Sequence, residues 1–206
     1  MTPNCSSYAL FSVSVRRLRD SWVLVALLAI CLVLAAGGDT VRELGRWERD
    51  AIETGEYWRL VSGHLVHLGL GHLWPNLAAL AIIGLLFEGV FSNLDWVRIG
   101  AASAAAIDLG LYMLNPDVSW YVGLSGVLHG YVAAGALALI VRGERLGVVL
   151  AIGVAAKLIF EQVVGPVPFT AASVGGPVVV AAHLYGVVGA LLAEALVAIA
   201  RCRSRV

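Results

Sequence analysis

Long runs without a charged residue alternate with short charged segments along this chain. The longest of these runs cover residues 21–38, 60–87, 118–141 and 162–193. A helix needs about 20 apolar residues to cross a hydrocarbon core of about 30 Å. The pattern therefore predicts several helices that cross a membrane.

Boundaries drawn at the charged segments divide the chain into six predicted spans. The spans cover residues 21–38, 70–90, 96–115, 122–141, 146–164 and 177–200. The predicted fold class is all-α: a polytopic membrane domain of six transmembrane helices over 21–200, with an N-terminal tail (1–20) and a basic tail (201–206). Residues 39–69 include the most polar stretch, with ten charges in 39–59, and predict a polar outer loop that contains a short amphipathic helix.

The arginines predict the orientation of these spans, because cytoplasmic segments carry an excess of Lys and Arg. With the N-terminus inside, nine arginines face the cytoplasm and four face outward. The nine are Arg16, Arg17, Arg19, Arg98, Arg142, Arg145, Arg201, Arg203 and Arg205; the four are Arg42, Arg46, Arg49 and Arg59. We therefore expect both tails to be cytoplasmic.

Composition excludes several other classes of protein. Hydrophobic residues make up 60% of the chain and charged residues 14%, whereas soluble domains carry about 25% charged residues. The formal net charge is zero, so the chain lacks the overall field that attracts nucleic acid. Cys5, Cys31 and Cys202 are far apart in sequence, and we expect free thiols rather than a disulfide framework.

Three polar side chains are predicted to meet near the outer face, where spans two, four and six begin. His72 lies at the start of span two, Ser125 near the start of span four, and His183 about six residues into span six. At 1.5 Å of rise per residue, Ser125 and His183 lie about 5–10 Å below the surface. A neutral imidazole can take the proton of a serine hydroxyl, which is otherwise a weak nucleophile. These positions are therefore candidates for a catalytic pair.

Each of these residues also has a structural interpretation. A serine flanked by Gly123 and Gly126 is common where membrane helices pack closely, and it often bonds to its own helix. A histidine such as His183 can bond a neighbouring helix, although ionisable residues inside a membrane are often functional. His72 and Asn76, at i and i+4, share a helix face, where both could donate hydrogen bonds to an oxyanion.

A metal site is the alternative for three histidines, His64, His67 and His72, that fall within nine residues. Only His64 and His67 have helical spacing, and neither a cysteine nor an H-E-x-x-H motif accompanies them. We therefore expect no metal. The default interpretation of His64 and His67 is hydrogen bonding at an interface.

Taken together, these motifs resemble the signature of the rhomboid intramembrane serine proteases over residues 20–200. The matching residues, in chain order, are Trp58-Arg59, His67-x4-His72-x3-Asn76, Glu88, Gly123-Leu124-Ser125-Gly126 and Ala182-His183-x2-Gly186. The run Gly-Leu-Ser-Gly-Val-Leu-His-Gly at 123–130 and the run at 157–162 look most like the rhombosortase branch. The resemblance implies a rhomboid-like six-helix bundle.

The resemblance also implies a role for the matching residues. Ser125 and His183 correspond to a catalytic dyad, and the oxyanion donors correspond to the Ser125 backbone N–H, His72 and Asn76. His129 stands where many rhomboids carry an aromatic residue that stacks on the dyad histidine, so it is the expected stacking partner. No cofactor is implied.

Arg59 and Glu88 match residues that brace the first long loop of rhomboids. The remaining charges at or near membrane depth are Asp108, Lys157, Glu161 and Glu194. Lys157 and Glu161, at i and i+4, are expected to form a structural ion pair rather than to contact a substrate. The sequence leaves open whether Asp108 joins this pair. We expect no buried carboxylate to complete a triad.

Likeness to rhombosortases implies a substrate class and a location. Their substrates are secreted or membrane-anchored proteins whose C-terminal tail combines a Gly-Gly-containing motif, a hydrophobic helix and a basic end. The implied location is the inner membrane of a Gram-negative cell, with the active site near the periplasmic face. The alternatives are a general rhomboid protease of other membrane substrates, a non-catalytic rhomboid-like protein that binds membrane helices, and a small transporter or channel.

Overall fold

The structure is a computed structural model that describes residues 21–168 and 175–204. This part of the chain forms nine helices and two short strands. The helices are α1 (Trp22–Ala36), α2 (Gly38–Gly45), α3 (Arg49–Glu53), α4 (Arg59–Ser62), α5 (Leu70–Leu86), α6 (Asn93–Leu114), α7 (Ser125–Val141), α8 (Arg145–Val163) and α9 (Ala181–Arg203); the strands are β1 (Trp47–Glu48) and β2 (Trp120–Tyr121). The predictions for residues 1–20 and for Arg205 lie outside the described residues.

The long helices follow the predicted spans, with shifted ends. α6, α8 and α9 are each long and apolar enough to cross a membrane. α1 meets the same criterion only together with α2, from which it is bent by 116°. α5 and α7 are apolar but have 17 residues each. The described residues thus contain three or four candidate spans, and the count of six remains a prediction.

Side chains are distributed as in a protein surrounded by lipid. Large apolar side chains are exposed along the long helices, among them Val33, Leu85, Leu109, Val149 and Leu196. Polar side chains are buried in the interior, among them Arg59, Asn76, Glu161 and His183. Helices can present such an apolar surface to hydrocarbon because their backbone groups are bonded internally.

Small residues bring α7 and α9 into close contact at the centre of the bundle. A Cβ atom on Gly186 of α9 would overlap the Gly126 carbonyl of α7, and one on Gly126 would lie 2.8 Å from the Ala182 carbonyl oxygen. α6 packs beside them, where a Cβ on Gly130 would collide with the Ser103 side chain. Small residues let the backbones of membrane helices approach without a side chain between them. The first turns of α7 and α9 therefore lie side by side.

The outer segment, residues 39–69, has more regular structure than the sequence predicted. It contains β1 and the short helices α3 and α4, and most of α2, where one amphipathic helix was expected. In the antiparallel sheet, Trp47 pairs with Tyr121 and Glu48 with Trp120. Strands of two residues are too short to show as a periodic pattern in the sequence. The pairing attaches the outer segment to the residues that lead into α7.

Candidate active site

Ser125 and His183 face each other at one end of the bundle. Ser125 is the first residue of α7, and His183 is the third residue of α9. Ser125 Oγ lies 3.0 Å from His183 Nε2, within hydrogen-bonding distance, and the imidazole is buried. A general base needs a separation of about 2.6–3.2 Å to take such a proton. The structure therefore brings together the pair that the sequence singled out.

The turn before Ser125 requires glycine at position 123. Gly123 has φ +116°, a backbone angle that residues with a side chain rarely adopt. A Cβ atom at this position would also lie 2.5 Å from His72 Cε1. The Gly123 N–H donates to the Gly63 carbonyl at 2.9 Å, and the Tyr121 hydroxyl donates to the Gly123 carbonyl at 2.6 Å. The turn places the Ser125 N–H at a helix start, where backbone donors lack a partner within the helix.

His72 and Asn76 lie on α5 and line the same cavity as Ser125. The Leu68 N–H donates to His72 Nδ1 at 3.4 Å, which leaves Nε2 as the protonated ring nitrogen. The Asn76 side-chain amide donates to the His72 carbonyl at 2.8 Å. This bond uses one of its two N–H groups. Both side chains therefore retain a donor for an oxygen held beside Ser125.

His67 packs edge-on against His72, with ring centroids 5.0 Å apart and planes at 70°. Its Nδ1 bonds the Leu65 carbonyl at 3.1 Å. Burial, helped by the neighbouring His72, lowers the pKa of His67 from 6.5 to about 4. The ring is therefore neutral near pH 7. The sequence predicted only interface hydrogen bonding for His67, and in the structure its ring also packs against the His72 ring.

His129 stacks on His183, in the arrangement that the sequence predicted. The ring centroids are 4.2 Å apart and the planes differ by 19°. The His129 Nδ1–H donates to the Ser125 carbonyl, one turn earlier on α7, at 2.7 Å. Because that bond fixes the His129 ring, the stacking also restricts the orientation of His183.

A buried carboxylate also contacts His183, and the sequence prediction missed it. Glu161 lies near the end of α8 with its side chain 1% exposed, and its Oε2 accepts from His183 Nδ1 at 2.8 Å. Its Oε1 accepts from Lys157 Nζ, so the predicted ion pair is present. The sequence analysis expected no buried carboxylate beside the pair, and this contact differs from that expectation. The reason is helix direction: α8 ends where α9 begins, so Glu161 and His183 lie at the same depth.

Ser125 and His183 both line a cavity of about 600 Å³. Its polar lining consists mainly of His72, Asn76, Ser125, His129, Lys157 and His183. Much of the remaining wall comes from apolar side chains of α5, α7 and α8, among them Ile83, Leu128, Val132, Leu150 and Val154. The cavity thus combines an apolar wall with a polar reaction centre, as sites for mainly apolar ligands do.

Three side chains in the site have donor atoms close enough to hold a metal ion. One donor atom each from His129, Glu161 and His183 lies within 4.8 Å of the others. His183 already uses both ring nitrogens, in the bonds to Ser125 and Glu161. A metal on His183 would have to displace one of them. Hydrogen bonding therefore explains this cluster better than metal ligation.

Arg59 connects the parts of the outer segment from within. The buried guanidinium donates to the carbonyls of Glu43 and Arg46, each at 2.9 Å, and to the Glu56 carboxylate at 2.7 Å. These bonds join α2, the residue before β1 and the turn before α4. The position of Arg59 thus matches the bracing role that the resemblance implies.

The other acidic residues that the sequence singled out do not contact Ser125 or His183 in the bonds described for them. Glu88 follows the end of α5 that is opposite to the outer segment, and a helix of 17 residues is about 25 Å long. The predicted role of Glu88 in bracing that segment therefore does not fit its position. Asp108 bonds His64 at 3.1 Å, and Glu194 of α9 bonds Arg98 of α6 at 2.6 Å. Asp108 is thus paired separately from Glu161 and its lysine.

The residues that match known proteins include those of this site. The Rhomboid domain family matches residues 54–199. The chain is 40% identical over 70 residues to RHOMBOID-like protein 5 of Arabidopsis thaliana, covering 34% of this chain and 22% of that protein. It is 26% identical over 126 residues to Putative rhomboid protease YdcA of Bacillus subtilis, covering 61% of this chain and 60% of that protein. It is 27% identical over 117 residues to Rhomboid protease GluP of the same organism, covering 55% of this chain and 23% of that protein. The matched part thus spans about a fifth to three fifths of these relatives.

Proposed function

Because this chain belongs to the Rhomboid domain family, we propose that it is an intramembrane serine endopeptidase that uses a Ser–His pair. The observation that carries the proposal is the 3.0 Å hydrogen bond from Ser125 to His183 at the wall of the cavity. The two Bacillus subtilis relatives bear the names Putative rhomboid protease YdcA and Rhomboid protease GluP, which supports the same activity.

The first chemical step is attack by Ser125 Oγ on the carbonyl carbon of the scissile bond. His183 Nε2 takes the hydroxyl proton as the bond forms. The carbonyl oxygen becomes an oxyanion, and the proposed donors to it are the Ser125 N–H, His72 Nε2–H and the Asn76 side-chain amide. One preorganised donor of this kind is typically worth about 2.7–4 kcal/mol in the transition state.

The second step releases the amine and regenerates the enzyme. His183 gives its proton to the leaving nitrogen, and the C–N bond breaks to leave an acyl group on Ser125. Water then attacks this ester while His183 takes a proton from it. The bond to Ser125 Oγ breaks, His183 returns the proton to that oxygen, and the carboxyl product departs. The same pair of side chains therefore serves both halves of the reaction.

A substrate helix must open before it can be cut, because its carbonyls are bonded internally. Glycine residues near the scissile bond would make this opening easier, since glycine is about 1 kcal/mol less favourable than alanine in a helix. The apolar wall of the cavity offers a place for the remaining substrate side chains. Membrane-embedded protein segments are therefore the proposed substrate class.

The proposed topology has six crossings and two cytoplasmic tails. The arginine distribution, nine inside against four outside, supports it. In this arrangement the outer segment and the catalytic pair lie on the extracytoplasmic side. For a Gram-negative cell this means an inner-membrane protein with its active site near the periplasmic face.

Within the family, we place the chain in the rhombosortase branch. The sequences at 123–130 and 157–162 support this assignment, which implies C-terminal tails with a Gly-Gly-containing motif and a hydrophobic helix as substrates. A general rhomboid protease acting on other membrane segments is the alternative.

Both levels of the proposal can be tested with two reporters in proteoliposomes. One reporter ends in a Gly-Gly-containing tail with a hydrophobic helix, and the other carries an unrelated single membrane span. We expect tail removal that is lost in Ser125→Ala and in His183→Ala. Cleavage of only the unrelated span would reject the rhombosortase assignment, and cleavage that survives Ser125→Ala would reject the serine protease.

A further inference from the structure

Glu161 is a buried carboxylate that a two-residue mechanism leaves without a task. Its Oε2 lies 2.8 Å from His183 Nδ1, and the two side chains are 1% and 4% exposed. Building on the proposed function, we propose that Glu161 is the third member of a Ser125–His183–Glu161 triad. It is a positioning residue, because it acts on the reaction only through the His183 ring.

The hydrogen bonds select the ring form that catalysis needs. An ionised carboxylate can only accept a hydrogen bond, so His183 Nδ1 must carry a proton in the bond to Glu161. The neutral ring then has its lone pair on Nε2, which faces Ser125 Oγ at 3.0 Å. With the proton on Nε2 instead, the ring could not accept from Ser125. Glu161 therefore holds the nitrogen that acts as the base in its active form.

The same bond stabilises the charge that develops during the reaction. When the Ser125 proton moves to Nε2, His183 becomes a cation next to the Glu161 anion. Opposite charges attract more strongly inside a protein than in water, because the effective dielectric constant is lower there. The proton leaves His183 for the amine product, and Glu161 takes no proton at any step.

Lys157 explains how this carboxylate can stay charged at such a depth. A charged side chain within a membrane helix is unfavourable unless it is paired. Lys157 Nζ bonds Oε1 of Glu161, while its side chain remains 35% exposed and lines the cavity.

A purely structural ion pair would use Glu161 without any need for His183. Here the two carboxylate oxygens are divided between two partners, Lys157 on Oε1 and His183 on Oε2. The second bond is directed at the catalytic base. The geometry therefore favours a positioning role over simple helix anchoring.

Kinetics of Glu161→Gln provides the main test, with reporter cleavage measured in proteoliposomes. Removing the carboxylate from a Ser–His–Asp triad lowers kcat about 10⁴-fold, and we expect a loss of about 10³–10⁴-fold here with KM changed less than about threefold. Glu161→Asp, which keeps the charge, should recover part of the loss. Glu194→Gln is the matched control, because it removes a carboxylate that bonds Arg98 away from the site, and it should keep kcat within about twofold.

The outcomes separate the triad from the protease itself. If the wild type neither cleaves nor reacts at Ser125, the proposed function fails. If the wild type cleaves and folded Glu161→Gln keeps a kcat near the wild-type value, the triad is overturned while the Ser–His pair stands.

If Glu161→Gln does not fold, the wild-type protein provides the test. The ¹⁵N-histidine NMR spectrum of the wild type should show a proton on His183 Nδ1 and none on Nε2, with the His183 signals identified by their loss in His183→Gln. The opposite tautomer would overturn the proposal.

Discussion

Replacing Gly186 with alanine should separate the catalytic pair without altering either member. A Cβ atom at this position would overlap the Gly126 carbonyl oxygen and lie 2.7 Å from its carbonyl carbon. Carbon atoms in ordinary contact lie about 3.5–4.0 Å apart, so α9 must move away from α7 by about 1 Å. His183 lies on the preceding turn of α9, and it moves with the helix.

The displacement is large enough to break the bond between base and nucleophile. The distance from Ser125 Oγ to His183 Nε2 would increase from 3.0 Å to about 4 Å, beyond the range of a hydrogen bond. A misplacement of about 1 Å can lower a rate by about 10²-fold. Overpacking of this kind also lowers the free energy of unfolding by about 1–3 kcal/mol.

The assay is the rate at which a small fluorophosphonate labels the protein in detergent. This probe needs an activated Ser125 but no unwound membrane helix. Gly84→Ala in α5 is the matched control, since Gly84 does not line the cavity and a Cβ there would meet only the end of the Leu24 side chain, at 3.1 Å. We expect labelling about 100-fold slower in Gly186→Ala and near the wild-type rate in the control, with thermal unfolding recorded for both. Wild-type labelling of Gly186→Ala would refute the claim that α7–α9 contact sets the catalytic distance.

Three further substitutions test other parts of the site. Asn76→Ala should lower kcat about 10²–10³-fold through loss of one oxyanion donor, and complete loss in a folded variant would contradict that role. Arg59→Lys should lower the free energy of unfolding by about 1–3 kcal/mol, because an ammonium cannot replace the planar guanidinium bonds; an unchanged melting temperature would count against the bracing role. The pKa of His67 is about 4 in the folded protein, against 6.5 for an ordinary histidine. The unfolded state therefore binds more protons between these values, and stability falls as the pH is lowered through that window. His67→Gln should weaken this dependence in thermal unfolding at several pH values, and an identical dependence would contradict burial as its cause.

The meeting of Ser125 and His183 could be predicted from helix direction. Helices that start on the same side of a membrane place their first turns at the same depth, which the sequence pattern already shows for the helices that carry these two residues. The same argument applies to Glu161 at the end of α8. It was overlooked because Lys157, one helical turn earlier, already provided that carboxylate with a partner.

Structural features formed by short backbone segments could not be predicted from the sequence pattern. The two-residue strands β1 and β2 have no periodicity to detect, yet they attach the outer segment to the turn at Gly123. The resemblance also predicted a role for Glu88 that does not fit its position. Glu88 matches the family motif, but it follows the end of α5 that is opposite to the outer segment. Motif order identifies residues, whereas helix direction and length decide which of them can meet.

The central claim, that Ser125 is a nucleophile activated by His183, is tested most directly by mass spectrometry after fluorophosphonate labelling. The account predicts a single covalent adduct on Ser125 in the wild type and none in Ser125→Ala. An adduct on another residue, or labelling that persists in Ser125→Ala, would contradict it.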